Sequence, residues 1–293
     1  VALDPVSRAM ATRVRQSYAI HADETPVTLL QPRRAAYAWV YLGDAANPFT
    51  VFDLTPGRSQ DHPTRFLAGY TGFVHADALQ QYADVYAGGA AHVGCFAHAR
   101  RKFVAAADAG DGRADEAVGL IRRLYAVERA LPPLDSSPDA EAVRHARRQA
   151  EAVPVLAALR ARLDRHAPAA LPKSPLGQAI TYAVRNWAAL VRYVEHGFLS
   201  IDNNLAERTL RPVAVGRNNW GVIGSAAAGP TAAVLYSVVG TCKHLGIDPF
   251  AYLRDVLPRL HALAADTTDE QLTPLLPDRW RADRSKTATP PAA

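Results

Sequence analysis

The stretch Asp202-Asn203-Asn204-Leu205-Ala206-Glu207-Arg208 places one acid at the start of a predicted helix and a second, Glu207, within it. Two further acids, Asp23 and Asp77, each close a segment that reads as a short strand: Ile20-His21-Ala22-Asp23 and Gly72-Phe73-Val74-His75-Ala76-Asp77. Carboxylates carried by two strand ends and one helix make a cradle for a pair of divalent cations, and such a pair cuts or joins phosphodiester bonds. Three converging carboxylates are costly to keep ionised without cations between them. In that arrangement Asp23 bridges two Mg²⁺ ions, with Mn²⁺ as a substitute, while Asp77 and Glu207 hold one each. No separate general base is then required.

Each acid also has a plainer role open to it. Asp23 suits a local turn before Thr25-Pro26, Asp77 suits the N-cap of the helix that follows, and Glu207 suits a surface ion pair with Arg208 or Arg211. On a helix starting near Asn203, spacings of four put Asn203, Glu207 and Arg211 on one face and leave Leu205, Leu210 and Val213 for packing. Asp202 reads as the N-cap, near enough to add charge to the site.

Cys95-Phe96-Ala97-His98 has a zinc-like spacing, but no second ligand pair lies nearby, and the neighbours Cys242-Lys243-His244 would rarely face one ion. Cys95 is therefore read as buried at a strand end. His98 falls in the first turn of the next helix, where it can orient a carboxylate or contact phosphate, or serve as a hydrogen-bonded structural histidine. Arg100-Arg101-Lys102 cannot all share one helix face, so at least one meets solvent or nucleic acid. Arg208, Arg211, Arg217 and Lys243 form a second basic set around the acids. Acids for ions beside cations for phosphates suit a polyanionic substrate, because phosphate contacts bring its backbone into register. Trp220 is placed either to stack on a base or to anchor the core.

The elements that must position these residues follow from patterning. Residues 7–17 read as the end of a helix, and the strand ending at Asp23 resumes at 28–30 after a break at Pro26. Tyr37–Leu42 and Phe49–Leu54 have the aromatic and β-branched content of strands, and their short connections predict an antiparallel meander. Ser59 caps a helix to Leu67, Leu79–Tyr86 has helical spacing, and Ala91–Cys95 is a further strand. Helices are predicted over 97–108, 114–131, 139–149, 152–166, 174–184, 186–196 and 203–211, followed by an irregular stretch from Arg217 through Gly229. Thr231–Leu245 and a helix capped by Asp248-Pro249 complete the pattern, and 281–293 read as a frayed tail. The fold class is α/β: a mixed sheet flanked by helices, with an all-helical block between the second and third acids. The divisions are 1–96, 97–200, 201–256 and 257–293.

The chain has 293 residues and is 49% hydrophobic, enough for a substantial core. Its 33 Lys and Arg against 28 acids give a charge of +5, and only four of the basic residues are lysine. So small an excess permits a nucleic-acid partner without demanding one. Two cysteines, Cys95 and Cys242, describe no disulfide scaffold and point to a reducing cytoplasm. Asp4 and Arg8 interrupt any signal peptide, and apolar runs such as Ala226–Leu235 fall short of the ~20 residues a membrane span needs. A soluble protein with no membrane partner is expected. The helix-like opening predicts that an upstream segment is missing. Gly224–Pro230 lacks the Lys-Ser/Thr ending of an ATPase loop, and no nucleophile elbow is present.

His21-Ala22-Asp23-Glu24-Thr25, Gly94-Cys95-Phe96-Ala97-His98-Ala99-Arg100-Arg101-Lys102-Phe103 and Ile201–Arg208 resemble motifs of the DDE transposases of the insertion-sequence-sixty-six family. So do Gly216-Arg217-Asn218-Asn219-Trp220, Ala232–Ser237 and Gly246–Leu253, and the likeness runs from about His21 to Trp280. The resemblance implies an RNase H-like core with Asp23, Asp77 and Glu207 as its catalytic acids and the helical block as an insertion before the last of them. It further implies Mg²⁺-dependent cleavage at transposon ends and strand transfer into target DNA, by a homo-oligomer on paired ends in the bacterial nucleoid. Family members usually carry a cysteine-containing zinc module and a helical segment upstream. This chain departs from the pattern where Ala78-Leu79 follows Asp77 in place of Gly and Tyr, where Asn218 follows Arg217 in place of Lys, and at Gly221-Val222. A hydrolytic nuclease on the same core and a DNA-binding remnant with little catalysis are the competing readings.

Overall fold

The computed structural model describes residues 2–77, 80–263 and 267–287. In chain order these form α1 (Asp4–Val14), β1 (Ala19–Gln31), β2 (Arg34–Leu42), β3 (Thr50–Thr55), α2 (Asp61–Phe66), β4 (Phe73–His75), α3 (Ala83–Ala87), β5 (Ala91–Val93), α4 (Phe96–Asp108) and α5 (Arg113–Arg129). There follow α6 (Ala140–Arg147), α7 (Val153–His166), α8 (Pro175–Arg185), α9 (Trp187–Val191), α10 (Asn204–Trp220), β6 (Ile223–Ser225), α11 (Ala228–His244), α12 (Pro249–His261), α13 (Asp269–Leu272) and α14 (Pro277–Thr287). Two compact units divide the chain. One comprises Val1–Phe73, Gln80–Ala90 and Leu205–Ala293, the other Val74–Leu79 and Ala91–Asn204.

The first unit is built on a mixed sheet. β1, β2 and β3 form the predicted antiparallel meander, with Asp23 opposite Val40 and Val40 opposite Phe52, while β6 adds in parallel to β1, Leu29 opposite Ile223. Alternation along the strands then sorts side chains onto two faces. Val27, Leu29, Ala36, Ala38, Val40, Leu42 and Phe52 form one buried cluster with Ala206, Leu210 and Val213 of α10 and Ala233 of α11. The opposite face carries Trp39, edge-on to Tyr82 at 6.2 Å, and Tyr41, stacked on Phe66 at 3.8 Å. Helices therefore cover both faces.

β3 is the outermost strand of the meander, and α11 completes its hydrogen bonding. Ser237 Oγ accepts from the Phe52 amide at 2.8 Å, and Thr241 Oγ1 accepts from the Thr50 amide at 2.9 Å while donating to the Thr50 carbonyl at 3.1 Å. A buried edge whose polar groups lacked partners would be heavily penalised.

Several predicted boundaries move. β1 runs unbroken through Pro26, so Asp23 lies mid-strand and not at a strand end. Proline harms a strand only where its missing N–H was needed, and β6 joins this flank of β1 only from Leu29 onward. α10 continues past Pro212 to Trp220 where the sequence predicts a stop at 211. The carbonyl that loses its donor to Pro212 belongs to the exposed Arg208, where water can replace it. The small residues after Trp220 supply β6, and the predicted tail is helical as far as Thr287, with Trp280 Nε1 donating to Asp255 Oδ2 at 2.8 Å. Leu79, the start of the predicted helix after Asp77, lies outside the described residues, as do Ala78 and 288–293 of the predicted tail.

The second unit places β4 beside β5 and packs α4 to α9 together. Spacings of three and four bury Ala99, Phe103 and Ala106 of α4, Ile121 and Leu124 of α5, and Leu156, Leu159 and Leu163 of α7. α6 and α7, predicted as separate helices, are joined by a π-helical turn over Arg148–Ala152. That turn aims the fully buried Arg148 inward, where Nε and Nη2 donate to Glu128 at 2.8 and 2.7 Å. Its remaining donors reach the carbonyls of Tyr193, His196, Gly197 and Leu199. The guanidinium's five N–H groups are thus satisfied without water. Gly197 is required where its backbone meets α6, because a Cβ would lie 2.1 Å from the Glu141 carbonyl oxygen.

Candidate active site

Asp23 and Glu207 both belong to the first unit. Asp23 shares its sheet face with Val27 and Leu29, because it sits opposite Val40 of the cluster that α10 covers. Its Oδ1 accepts from the following amide, that of Glu24, at 2.9 Å. Glu24 itself points to the other face, where Arg58 Nε donates to it at 3.0 Å. Glu207 lies in the first turn of α10 beside the buried Ala206, and a carboxylate there is favoured by the helix dipole.

The other end of α10 is tied to β1. Arg217 Nη1 donates to Thr25 Oγ1 at 3.2 Å and to the Pro26 carbonyl at 2.6 Å. Past Trp220 the chain enters β6 beside Leu29, so α10 advances in the same sense as β1. Glu207 lies ten residues upstream of Arg217, about 15 Å along the helix axis, toward the half of β1 that carries Asp23. These two acids occupy one sheet face, one on the strand and one on the helix that covers it.

Asp77 belongs to the second unit, just past β4, and its side chain is 23% exposed. Tyr182 of α8 donates its hydroxyl to Asp77 Oδ1 at 2.8 Å. Burial, reinforced by the Asp77 charge, holds the Tyr182 phenol far above its usual range, so it stays a donor. His98 Nε2 lies 3.5 Å from Asp77 Oδ2 and 2.9 Å from Arg101 Nη2. Arginine can only donate, so Nε2 accepts from Arg101 and its approach to Asp77 is not a hydrogen bond. Lys102 Nζ sits over the Tyr182 ring at 4.9 Å.

Asp202 and Asn203 close the same unit. Tyr125 of α5 donates to Asp202 Oδ2 at 2.8 Å, and Asp202 Oδ1 accepts from the Asn204 amide at 3.1 Å. This is an Asx-type turn one residue ahead of the N-cap position, which falls to Asn203 and not, as the sequence predicts, to Asp202. Asn203 is buried, and its amide donates to Cys95 Sγ at 3.3 Å. Burial pushes the Cys95 thiol up to about 11, outweighing the amides that favour its thiolate. Cys95 precedes α4 directly and His98 falls in that helix's first turn, as predicted.

The basic positions divide by exposure. Arg100, Arg101 and Lys102 are exposed on α4, Arg208 and Arg211 on α10, and Lys243 in the last turn of α11. Arg217 and Trp220 lie within α10, not in the irregular stretch predicted for them. Arg217 commits Nη1 to β1, and Trp220 packs against the sheet cluster and lines an apolar cavity of about 250 Å³ with Val213, Ile223 and Tyr236. Tyr125 and Tyr182 escaped the sequence reading. A lone tyrosine in an amphipathic helix reads as packing, and only the fold shows which acid its hydroxyl meets.

Residues 1–231 match the family model described as the transposase IS66 family, and residues 237–277 match the IS66 C-terminal element. Among curated proteins of Sinorhizobium fredii, the uncharacterized protein y4jD is 31% identical over 96% of this chain and 57% of its own length. The uncharacterized protein y4hP is 30% identical over 98% of this chain and 55% of its own. The chain thus spans about half the length of these relatives. No solved structure matches. Among the described residues, no helix is long and apolar enough to cross a membrane.

Proposed function

We propose, from the premise that this chain belongs to the transposase IS66 family, that it carries the catalytic core of a DDE transposase which cleaves DNA at transposon ends and transfers the strand into target DNA. What supports the reading is that Asp23 lies on the face of the mixed sheet that α10 covers, and that α10 carries Glu207 in its first turn. In this reading the sheet and its helices are an RNase H-like core and residues 97–200 are largely an insertion. Asp77 is the third acid.

The donor set suits hard divalent cations. All three groups are carboxylates, the oxygen ligands that Mg²⁺ and Mn²⁺ prefer, and the Asp77 side chain is open to solvent in part. Asp23, Asp77 and Glu207 would hold two such ions. Bound there, the ions supply the charge that activates a water or 3′-hydroxyl and stabilises the leaving oxygen. The chain's own contribution is to fix the carboxylates and to bind phosphates. Exposed Arg100, Arg101, Lys102, Arg208 and Arg211 supply cations for the DNA backbone, Lys243 adds another, and Arg217, tied to β1 through Nη1, is a further candidate. A homo-oligomer acting on paired ends completes the proposal.

The test is cleavage and strand transfer on paired transposon-end duplexes with Mg²⁺, comparing the chain with its Asp23→Asn variant. Loss of a direct metal ligand is expected to lower both steps by at least about 100-fold, since residues that merely orient ligands cost 10–100-fold. Salt-sensitive DNA binding is expected to persist. Equal cleavage by both proteins, or DNA binding with no cleavage by either, would reject the reading; hydrolysis without strand transfer would leave only a nuclease.

A further inference from the structure

Among the described residues, the hydroxyl of Tyr182 makes one hydrogen bond, and its acceptor is Asp77 Oδ1 at 2.8 Å. The rest of α8 explains itself by packing, with Leu176, Ala179, Ile180 and Ala183 buried at helical spacing. Phenylalanine would serve the packing of position 182 equally well, and the ring would still lie beneath Lys102 Nζ. Only the contact with Asp77 distinguishes a tyrosine there.

We propose that Tyr182 is a positioning residue: its O–H grips Asp77 Oδ1 and fixes the rotation of the carboxylate that presents oxygen to a divalent cation. The inference rests on reading Asp77 as a metal ligand. The physical need is plain, since an aspartate has a broad, two-fold torsion about its last bond and follows the short strand β4 rather than sitting inside a long one. One donor held on a rigid helix removes that freedom. The hydroxyl, 2.8 Å from Oδ1, donates to the carboxylate. Residues that orient a metal ligand from behind typically set affinity by 10–100-fold. The helical block would then supply part of the site and not merely interrupt the core.

The test is Mn²⁺ binding by the full chain, followed through the electron paramagnetic resonance signal of free Mn²⁺. Tyr182→Phe is expected to weaken binding by about 10-fold, the low end of that range, with the thermal midpoint moved by less than about 2 °C. Asp77→Asn is expected to weaken it at least as much, and the double variant to bind no more weakly than Asp77→Asn alone. Wild-type affinity in Tyr182→Phe beside a clear loss in Asp77→Asn would overturn the role of Tyr182 and leave the metal site standing. Additive losses in the double variant would also overturn it, since Tyr182 would then act elsewhere. Wild-type affinity in Asp77→Asn would instead reject Asp77 as a ligand.

Discussion

His92 shows what burial does to a single titrating group in the second unit. Its Nε2 donates to the Ala76 carbonyl at 3.2 Å, one residue before Asp77. Burial, helped by the Arg192 guanidinium, holds the imidazole below its ordinary value despite that hydrogen bond. Above pH about 6.5 the ring is neutral in folded and unfolded chains alike, and the unit keeps its full stability. As pH falls below that value the unfolded chain takes up the proton first, so stability is lost. The urea midpoint of the wild type is therefore expected to fall between about pH 7.5 and 5.5 by more than that of His92→Gln; an identical fall would remove His92 as a contributor. At this scale the sequence made the acids legible and hid their partners. Asp23, Asp77 and Glu207 stand out by motif, whereas the hydroxyls of Tyr125 and Tyr182 reach acids 77 and 105 positions away. No local pattern encodes a contact of that range.

Among the elements, α11 shows a helix acting as the missing neighbour of an edge strand. Thr241 Oγ1 meets both the amide and the carbonyl of Thr50. Thr241→Val keeps the shape and removes both bonds, leaving buried backbone groups unpaired. The expected cost is about 1–3 kcal/mol in chemical denaturation, and a change under about 0.5 kcal/mol would show that water replaces the hydroxyl. The meander and most of the helices could be read from aromatic runs and three-to-four spacing. The errors have a common cause. Pro26 and Pro212 read as breaks from local propensity, yet tertiary context accepts both, and the small residues of β6 carry no strand signal apart from their pairing with β1. The extension of α10 matters most for the site, because it lets Arg217 tie the helix of Glu207 to the strand of Asp23.

For the whole molecule, a net charge of +5 is modest, so the proposed DNA binding would depend on where cations are exposed more than on their number. The first unit holds Asp23 and Glu207; the second holds Asp77 and is knit together by Arg148. The charge and the apolar fraction could be read at once from composition. The division into units could not, because the segment carrying Asp77 belongs with helices that follow it much later in the chain. Asp23, Asp77 and Glu207 are proposed to share divalent cations, and a crystal structure of the full chain soaked in Mn²⁺, with the metal located by anomalous scattering, tests that most directly. The expected result is Mn²⁺ ligated by carboxylate oxygens of all three residues. Mn²⁺ bound at other side chains, with these three acids holding none, would contradict it.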